Sequence, residues 1–425
     1  MTPRECADWT RGPKNGPAIS MMRPAPQLSR RQLLAGLSGT AAAAIWRPGV
    51  AQPAPPTIAI RQDAAGKAEF DPAPPAAYRL GERLRLTVTN ALAGRISLGV
   101  RGLDGAQAVE PLLKLPPIDA DQSTAIDIAL NQSGTFVFDA RLLDDAAKSL
   151  PVAAFMVAEV APPQVDHDRI FVIEELGGRY TVNGKTSIDL GVRGNERLRL
   201  RLVNGCRRSP VALQFDDHDM RVIAIDSRPA EPFLARDHRV VLAPGTRVDA
   251  LVDATQAAGA TSAIRLFAGS GPKRIGQIVY SGDTPARAQP LPAASPLADV
   301  PIKLDLASAL RVPVDAAGDW SFAGDMIAKR PPPLFRAKQG RTVLLTLANR
   351  TKLPTTFHLH GHHVRWLDRL DDGWKPFLLD TVIVDAGQTE RIAFRADFPG
   401  EWLIESVPMN AGEQSRFVWF GVNQK

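Results

Sequence analysis

One phrase occurs three times in this chain, and it limits the fold more than any other feature. Gly81-Glu-Arg-Leu84-Arg-Leu86-Thr-Val88-Thr-Asn90 returns as Gly194-Asn-Glu-Arg-Leu198-Arg-Leu200-Arg-Leu202-Val-Asn204 and again as Gly340-Arg-Thr-Val343-Leu-Leu345-Thr-Leu347-Ala-Asn349. Each copy is a turn glycine, a run of alternating apolar residues and a closing Asn. A period of two is the pattern of a half-buried β-strand. The copies start 113 and 146 residues apart, which makes each unit domain-sized and too long for a solenoid repeat. Further strand–turn–strand phrases follow, such as Leu242-Ala-Pro244-Gly245-Thr-Arg-Val248-Asp249 and Val384-Asp-Ala386-Gly387-Gln-Thr-Glu-Arg391-Ile392. No long amphipathic helix is legible, and proline, confined to edges and turns in sheets, suits many short strands. The expectation is an all-β chain of three tandem Greek-key sandwiches or barrels. The Pro/Ala-rich stretch 285–301 reads as a linker and Ala161-Pro162-Pro163 as an earlier boundary, giving domains at 52–162, 163–284 and 302–425.

Residues 1–51 read as a targeting segment. Ser29-Arg30-Arg31-Gln32-Leu33-Leu34 precedes a weakly apolar run and the small-residue exit Pro48-Gly49-Val50-Ala51. This is the pattern of a twin-arginine export signal, cleaved after Ala51. It implies passage through the twin-arginine translocase and a periplasmic mature protein. A start at Met21 or Met22 would give a leader of more usual length. No later segment is apolar enough for a transmembrane anchor. Of 51 Lys/Arg and 45 Asp/Glu, 7 and 2 lie in residues 1–51. The remaining 44 against 43 give no reason to expect nucleic acid as a partner. Of the two cysteines only Cys206 lies beyond the leader, so a disulfide framework is excluded.

The histidines carry the chemistry. Seven are present, His167, His218, His238, His358, His360, His362 and His363, four of them in Phe357-His-Leu-His-Gly-His-His363. On a strand His358, His360 and His362 would share one face, unless Gly361 introduces a bulge. Aligned imidazoles suggest a transition-metal site, and hydrogen-bonded core histidines are the competing reading. His167 and His238 lie between charges and read as solvated. Cys206 reads as a buried inert thiol. Arg207-Arg208 is either an anion contact or a solvated turn.

Thr356-Phe-His-Leu-His-Gly-His362, Asp380-Thr381-Val382 and Pro399-Gly400-Glu-Trp402-Leu403 resemble the C-terminal domain of multicopper oxidases. Asn183-Gly184, the strand ending at Asn204, the phrase His218–Asp226 and Pro244-Gly-Thr-Arg-Val-Asp249 resemble the same family in domain order. The resemblance implies three cupredoxin (plastocyanin-like) domains over nearly all of residues 55–425. It also implies ten histidines and one cysteine holding a mononuclear copper and a trinuclear cluster, and seven histidines cannot supply ten.

The losses fall at definite positions. The first domain's His-x-His-Gly-Leu phrase corresponds to Gly99-Val-Arg101-Gly-Leu103, and its Gly-Thr-x-x-x-His-x-His phrase to Gly134-Thr-Phe-Val-Phe-Asp139-Ala-Arg141. The third domain's His-Cys-His phrase corresponds to Glu405-Ser406-Val407. The mononuclear ligands map to Thr355, Ser406 and Ala411, with Arg416 at the usual axial position. Of the cluster ligands only His358 and His360 survive, and His218 sits in a phrase kept for packing. One expectation for the emptied cluster is an ion-pair network of Arg101, Asp139, Arg141 and Glu405 that joins domains one and three without any cofactor. The other is a single copper, zinc or iron ion on His358, His360 and Glu405, with Asp139 as a fourth ligand. Two functions follow. One is a non-catalytic periplasmic binding or assembly protein with a protein partner, similar to the copper-free, twin-arginine-exported cell-division branch of the superfamily. The other is a copper-binding oxidoreductase or copper-handling protein with a reduced site.

Overall fold

The computed structural model describes residues 54–424, apart from 65, 144–149, 270, 368–372, 374 and 411–413. The export signal read at 1–51 therefore lies outside the described residues.

Among the described residues the strands form six sheets, two in each third of the chain. In the first third one sheet has the order β2 (Ala68–Asp71), β1 (Thr57–Gln62), β4 (Arg83–Asn90), β6 (Ser123–Ala129). Its partner runs β3 (Ala77–Arg79), β8 (Val152–Ala158), β7 (Gly134–Leu142), β5 (Ile96–Arg101). The second third has a sheet of β10 (Arg179–Val182), β9 (His167–Leu176), β12 (Arg197–Asn204), β17 (Arg247–Asp253), β14 (Arg221–Ile225) and β15 (Arg228–Leu234). Opposite it lie β11 (Ile188–Val192), β19 (Pro272–Tyr280), β18 (Thr261–Phe267), β13 (Val211–Phe215) and β16 (Arg239–Leu242). The last third pairs β20 (Leu310–Asp315), β22 (Thr342–Ala348), β26 (Thr389–Arg395) and β24 (Arg365–Trp366) with a second sheet. That sheet is β21 (Arg336–Lys338), β28 (Arg416–Asn423), β27 (Gly400–Pro408), β23 (Thr355–Leu359) and β25 (Thr381–Val384).

The three thirds share one topology. In each, the first strand pairs parallel to the repeated strand (β1 with β4, β9 with β12, β20 with β22), and the neighbour beyond it is antiparallel. Such mixed pairing needs crossovers between sheets, as Greek-key sandwiches have. The all-β, tandem-sandwich expectation holds.

The repeated phrase is the same device three times. Leu84, Leu86 and Val88 of β4 point into the first core, and Leu198, Leu200 and Leu202 of β12 into the second. The closing Asn is buried in every copy and ties the next loop down. Asn204 Nδ2 donates to Ser209 O and Leu242 O, while its Oδ1 accepts from Cys206 N. Asn349 donates to Leu353 O and Val384 O and accepts from Thr351 N, and Asn90 donates to Gly94 O and Ile118 O and accepts from Leu92 N. A buried amide is affordable only when its donors and acceptor are met.

Two of the three repeated strands depart from the half-buried pattern. β4 alternates buried and partly exposed, but β12 is buried along its whole length. Its outer residues Arg199 and Arg201 pack against the first domain, where Glu159 and Thr135 meet them. In β22 the outer Leu344 is covered by Leu304 and Leu306. Local alternation cannot reveal a second layer supplied from elsewhere in the chain. The stretch 285–301 forms no strand and is tied to the second sandwich, with Arg197 donating to Leu291 O and Pro292 O.

Candidate functional site

β5 and β7 are antiparallel neighbours with Gly99 opposite Asp139 and Ser97 opposite Arg141, so Arg101, Asp139 and Arg141 emerge on one face. β23 and β27 pair with His358 directly opposite Glu405. The two faces meet. Arg101 bridges them, with Nε 2.8 Å from Asp139 Oδ2 and Nη2 2.9 Å from Glu405 Oε2. Arg141 does the same: Nη2 lies 2.7 Å from Asp139 Oδ2, and Nη1 contacts Glu405 Oε1. Glu405 is only 1% exposed at its side chain, so two guanidiniums hold a carboxylate away from water. Burial alone would push the Asp139 carboxyl up, but Arg141, Arg101 and Arg207 together hold it well below the usual carboxylate range. Burial, opposed by Asp139 and reinforced by Arg101 and Arg207, brings Arg141 down to about 10.

The two surviving ligand positions lie beside this network, with ring centroids 4.5 Å apart. His358 Nδ1 is 3.0 Å from Thr381 Oγ1 and 3.1 Å from Asp380 O, and His360 Nδ1 is 3.0 Å from Glu110 Oε1. Anchoring one ring nitrogen orients an imidazole as partners of metal ligands do. His360 Nε2 is buried without a hydrogen-bond partner. A third donor is missing, however, because the two Glu405 oxygens face the guanidiniums of Arg101 and Arg141. Burial, followed by the Arg101 charge, holds His358 well below the usual imidazole range. Among the described residues no group of three His, Cys, Asp or Glu is placed to hold a metal ion. The residues present do not fit the family's three-copper cluster.

They do not fit a blue-copper site either, which needs a thiolate and two imidazoles. Thr355 and Ser406 are buried, with Ser406 opposite Phe357 and Arg416 across the β27–β28 ladder. The Arg416 guanidinium lies 5.9 Å from the Phe322 ring centre. Ala411 lies outside the described residues.

The remaining histidines separate cleanly. Gly361 adopts φ +67°, where a Cβ would come 2.2 Å from the Trp402 ring. This turn breaks the shared face. His362 packs among Phe394, Phe398, Trp402 and Phe420, and burial lowers it to about 4. His363 bridges Asp104 at 2.7 Å and Asp226 O at 2.5 Å. Burial opposes its charge, but Asp104 outweighs that and its pKa is raised. His218 is a core residue bonded to Tyr280 Oη and Asp216 O, both at 2.6 Å. His238 is exposed beside Asp219, whereas His167 is half-buried against Glu196. Burial pushes the Cys206 thiol up to about 12.

Sequence reasoning missed two further networks and misjudged one turn. Arg247, fully buried on β17, grips Asp380 across the second and third domains with Nη2 2.6 Å from Oδ2. Asp226 lies 3.6 Å away, and burial together with the Asp380 charge raises it to about 7. Arg199 binds Glu159 and Asp249 at 2.6 and 2.7 Å, and Arg201 shares Asp249 with it and donates to Thr135 Oγ1. The available signal was charge inside apolar strands, in Arg199-Leu-Arg-Leu and Thr-Arg247-Val-Asp. The Arg207-Arg208 turn is not simply solvated. Arg207 Nη2 donates to Ala140 O of the first domain, and Arg208 to Pro408 O of the third.

Family models described as multicopper oxidase match residues 158–274 and 300–408. The multicopper oxidase MmcO of Mycobacterium tuberculosis is 24% identical over 249 residues, 53% of this chain. The match spans 47% of that protein, about half its length. Lac15 from a marine microbial metagenome is 26% identical with a TM-score of 0.68, covering 87% of this chain and 98% of that one. The multi-copper oxidase of Pseudomonas thermotolerans, at 21% identity and a TM-score of 0.71, covers 86% and 98% and supports the fold. Together with the threefold sandwich topology, these matches show that the chain belongs to the multicopper oxidase superfamily.

Proposed function

We propose that this chain is a non-catalytic member of the superfamily, a binding or assembly protein on a cupredoxin scaffold. One observation carries the reading: Arg101 and Arg141 clamp Asp139 and Glu405 beside His358 and His360. Two guanidiniums repel a cation where the family gathers copper, and neither blue-copper ligand type is present at Ser406 or Thr355. Export through the twin-arginine route to the periplasm belongs to the same proposal and is supported by Arg30-Arg31. A cell-division or envelope role and a protein partner are its finer form, supported only by the loss of copper ligands.

The second reading, a copper-binding oxidoreductase or copper-handling protein, has its own support. Two of the relatives named above, from Mycobacterium tuberculosis and Pseudomonas thermotolerans, are multicopper oxidases by name, and His360 Nε2 is a buried nitrogen without a partner. Oxygen consumption separates the two. Purified protein given copper and a phenol or a reduced metal ion is expected to show no copper-dependent dioxygen uptake and no intense blue absorption. Robust uptake would establish the second reading.

A further inference from the structure

Beside the ion-pair network lies a cavity of about 110 Å³ where the three domains meet. That is several times the room one water needs. Its lining mixes two chemistries. Arg101, Asp139, Arg141 and Arg207 line it together with Val152, Val203, Leu143 and Phe417. A small number of polar groups set in an apolar wall is the usual make-up of a small-molecule site.

The charges beside it do not balance. Three guanidiniums, Arg101, Arg141 and Arg207, share Asp139 and Glu405. Arg207 fares worst. Its Nη2 reaches only 3.9 Å from Asp139 Oδ1, it donates to the Ala140 carbonyl, and its buried Nε makes no hydrogen bond. A desolvated cation with half a partner is costly, and a planar fork with open donors matches a carboxylate. Burial, with Arg101 and Arg208 adding to it against Asp139, lowers the Arg207 pKa, as expected of a group lacking its anion.

We propose that this cavity binds a small organic carboxylate, its head on Arg207 and Arg141 and its apolar body against Val152, Val203, Leu143 and Phe417. The site rests on the placement of Arg141 in the copper-free reading but requires no redox chemistry. Binding and copper content are therefore measured separately on the same preparation.

The test is calorimetric titration and thermal unfolding of the full chain with benzoate, against benzamide, inorganic phosphate and chloride. Benzoate is expected to bind saturably and raise Tm. Loss of a charge-assisted contact weakens binding by roughly tenfold to a hundredfold, so benzamide and phosphate should each be weaker by at least the lower figure. Arg207→Gln should lose benzoate binding to the same extent, and Arg207→Lys should restore part of it. Because Arg207 is the surplus charge, Arg207→Gln without ligand should unfold at or above the wild-type Tm. No benzoate binding, equal binding of benzamide, unchanged binding by Arg207→Gln, or a large fall in its Tm would each overturn the proposal. Protein that carries copper yet binds benzoate would overturn the copper-free reading alone.

Discussion

Glu405 faces His358 across one rung of a β-ladder, and what neutralises it decides the chemistry of its surroundings. Arg101→Gln leaves that buried carboxylate with one guanidinium in place of two, and stranding a buried charge costs about 3–5 kcal/mol. Urea unfolding should show that loss, while Arg101→Met combined with Glu405→Gln should cost less than the sum of the two single changes. An additive result would mean the pair is not coupled. His362 gives a second, pH-dependent handle. Its imidazole is held near 4 by burial in the native core and titrates near 6.5 when unfolded. Between these values the unfolded chain binds more protons, so stability rises with pH across the window and falls as pH drops from about 6.5 to 4. A shift of this size is worth about 3 kcal/mol. His362→Phe should flatten that slope by one proton, and an unchanged slope would contradict the assignment. Arg101, Asp139, Arg141 and Glu405 were legible because each stands at a motif position. Arg207 was legible only as one of two options, an anion contact or a solvated turn, because a side chain that crosses between domains leaves no local pattern.

The strand that ends in Asn is the element this fold reuses. Asn90, Asn204 and Asn349 each donate twice and accept from the backbone N–H two residues on, at the same place in their sandwich, and Asn349 accepts from Thr351 Oγ1 as well. Replacing any one with Ala removes at least three hydrogen bonds at about 1 kcal/mol each. A loss of roughly 2–4 kcal/mol is therefore expected from denaturant unfolding at each position, and a loss confined to one copy would contradict their equivalence. The alternation and the closing Asn made these strands readable in advance. The outer faces of β12 and β22 were not readable, since the residues that cover them lie far away in sequence. The turn at Gly361 was visible only as an option. Its positive φ, with the Trp402 ring where a Cβ would lie, sends His362 into the core and leaves His358 and His360 facing the first domain.

At the scale of the molecule, an arginine–carboxylate contact spans each pair of domains: Arg101–Glu405, Arg199–Glu159 and Arg247–Asp380. The participants in the last are 133 residues apart, which is why pattern reading did not find them. All three place charge where water is excluded, so they serve to position domains more than to add net stability. Assembly before transport is consistent with the export proposal, and changing Arg30 and Arg31 together to Lys should strand precursor in the cytoplasm. Normal export of that variant would remove the twin-arginine reading. The claim on which the rest depends is that guanidiniums stand where the family holds copper. Metal analysis of protein folded in copper-replete cytoplasm tests it most directly. The expected result is far less than one copper per chain in the wild type. Stoichiometric copper, retained through dialysis and lost in His358→Ala and His360→Ala variants, would contradict it.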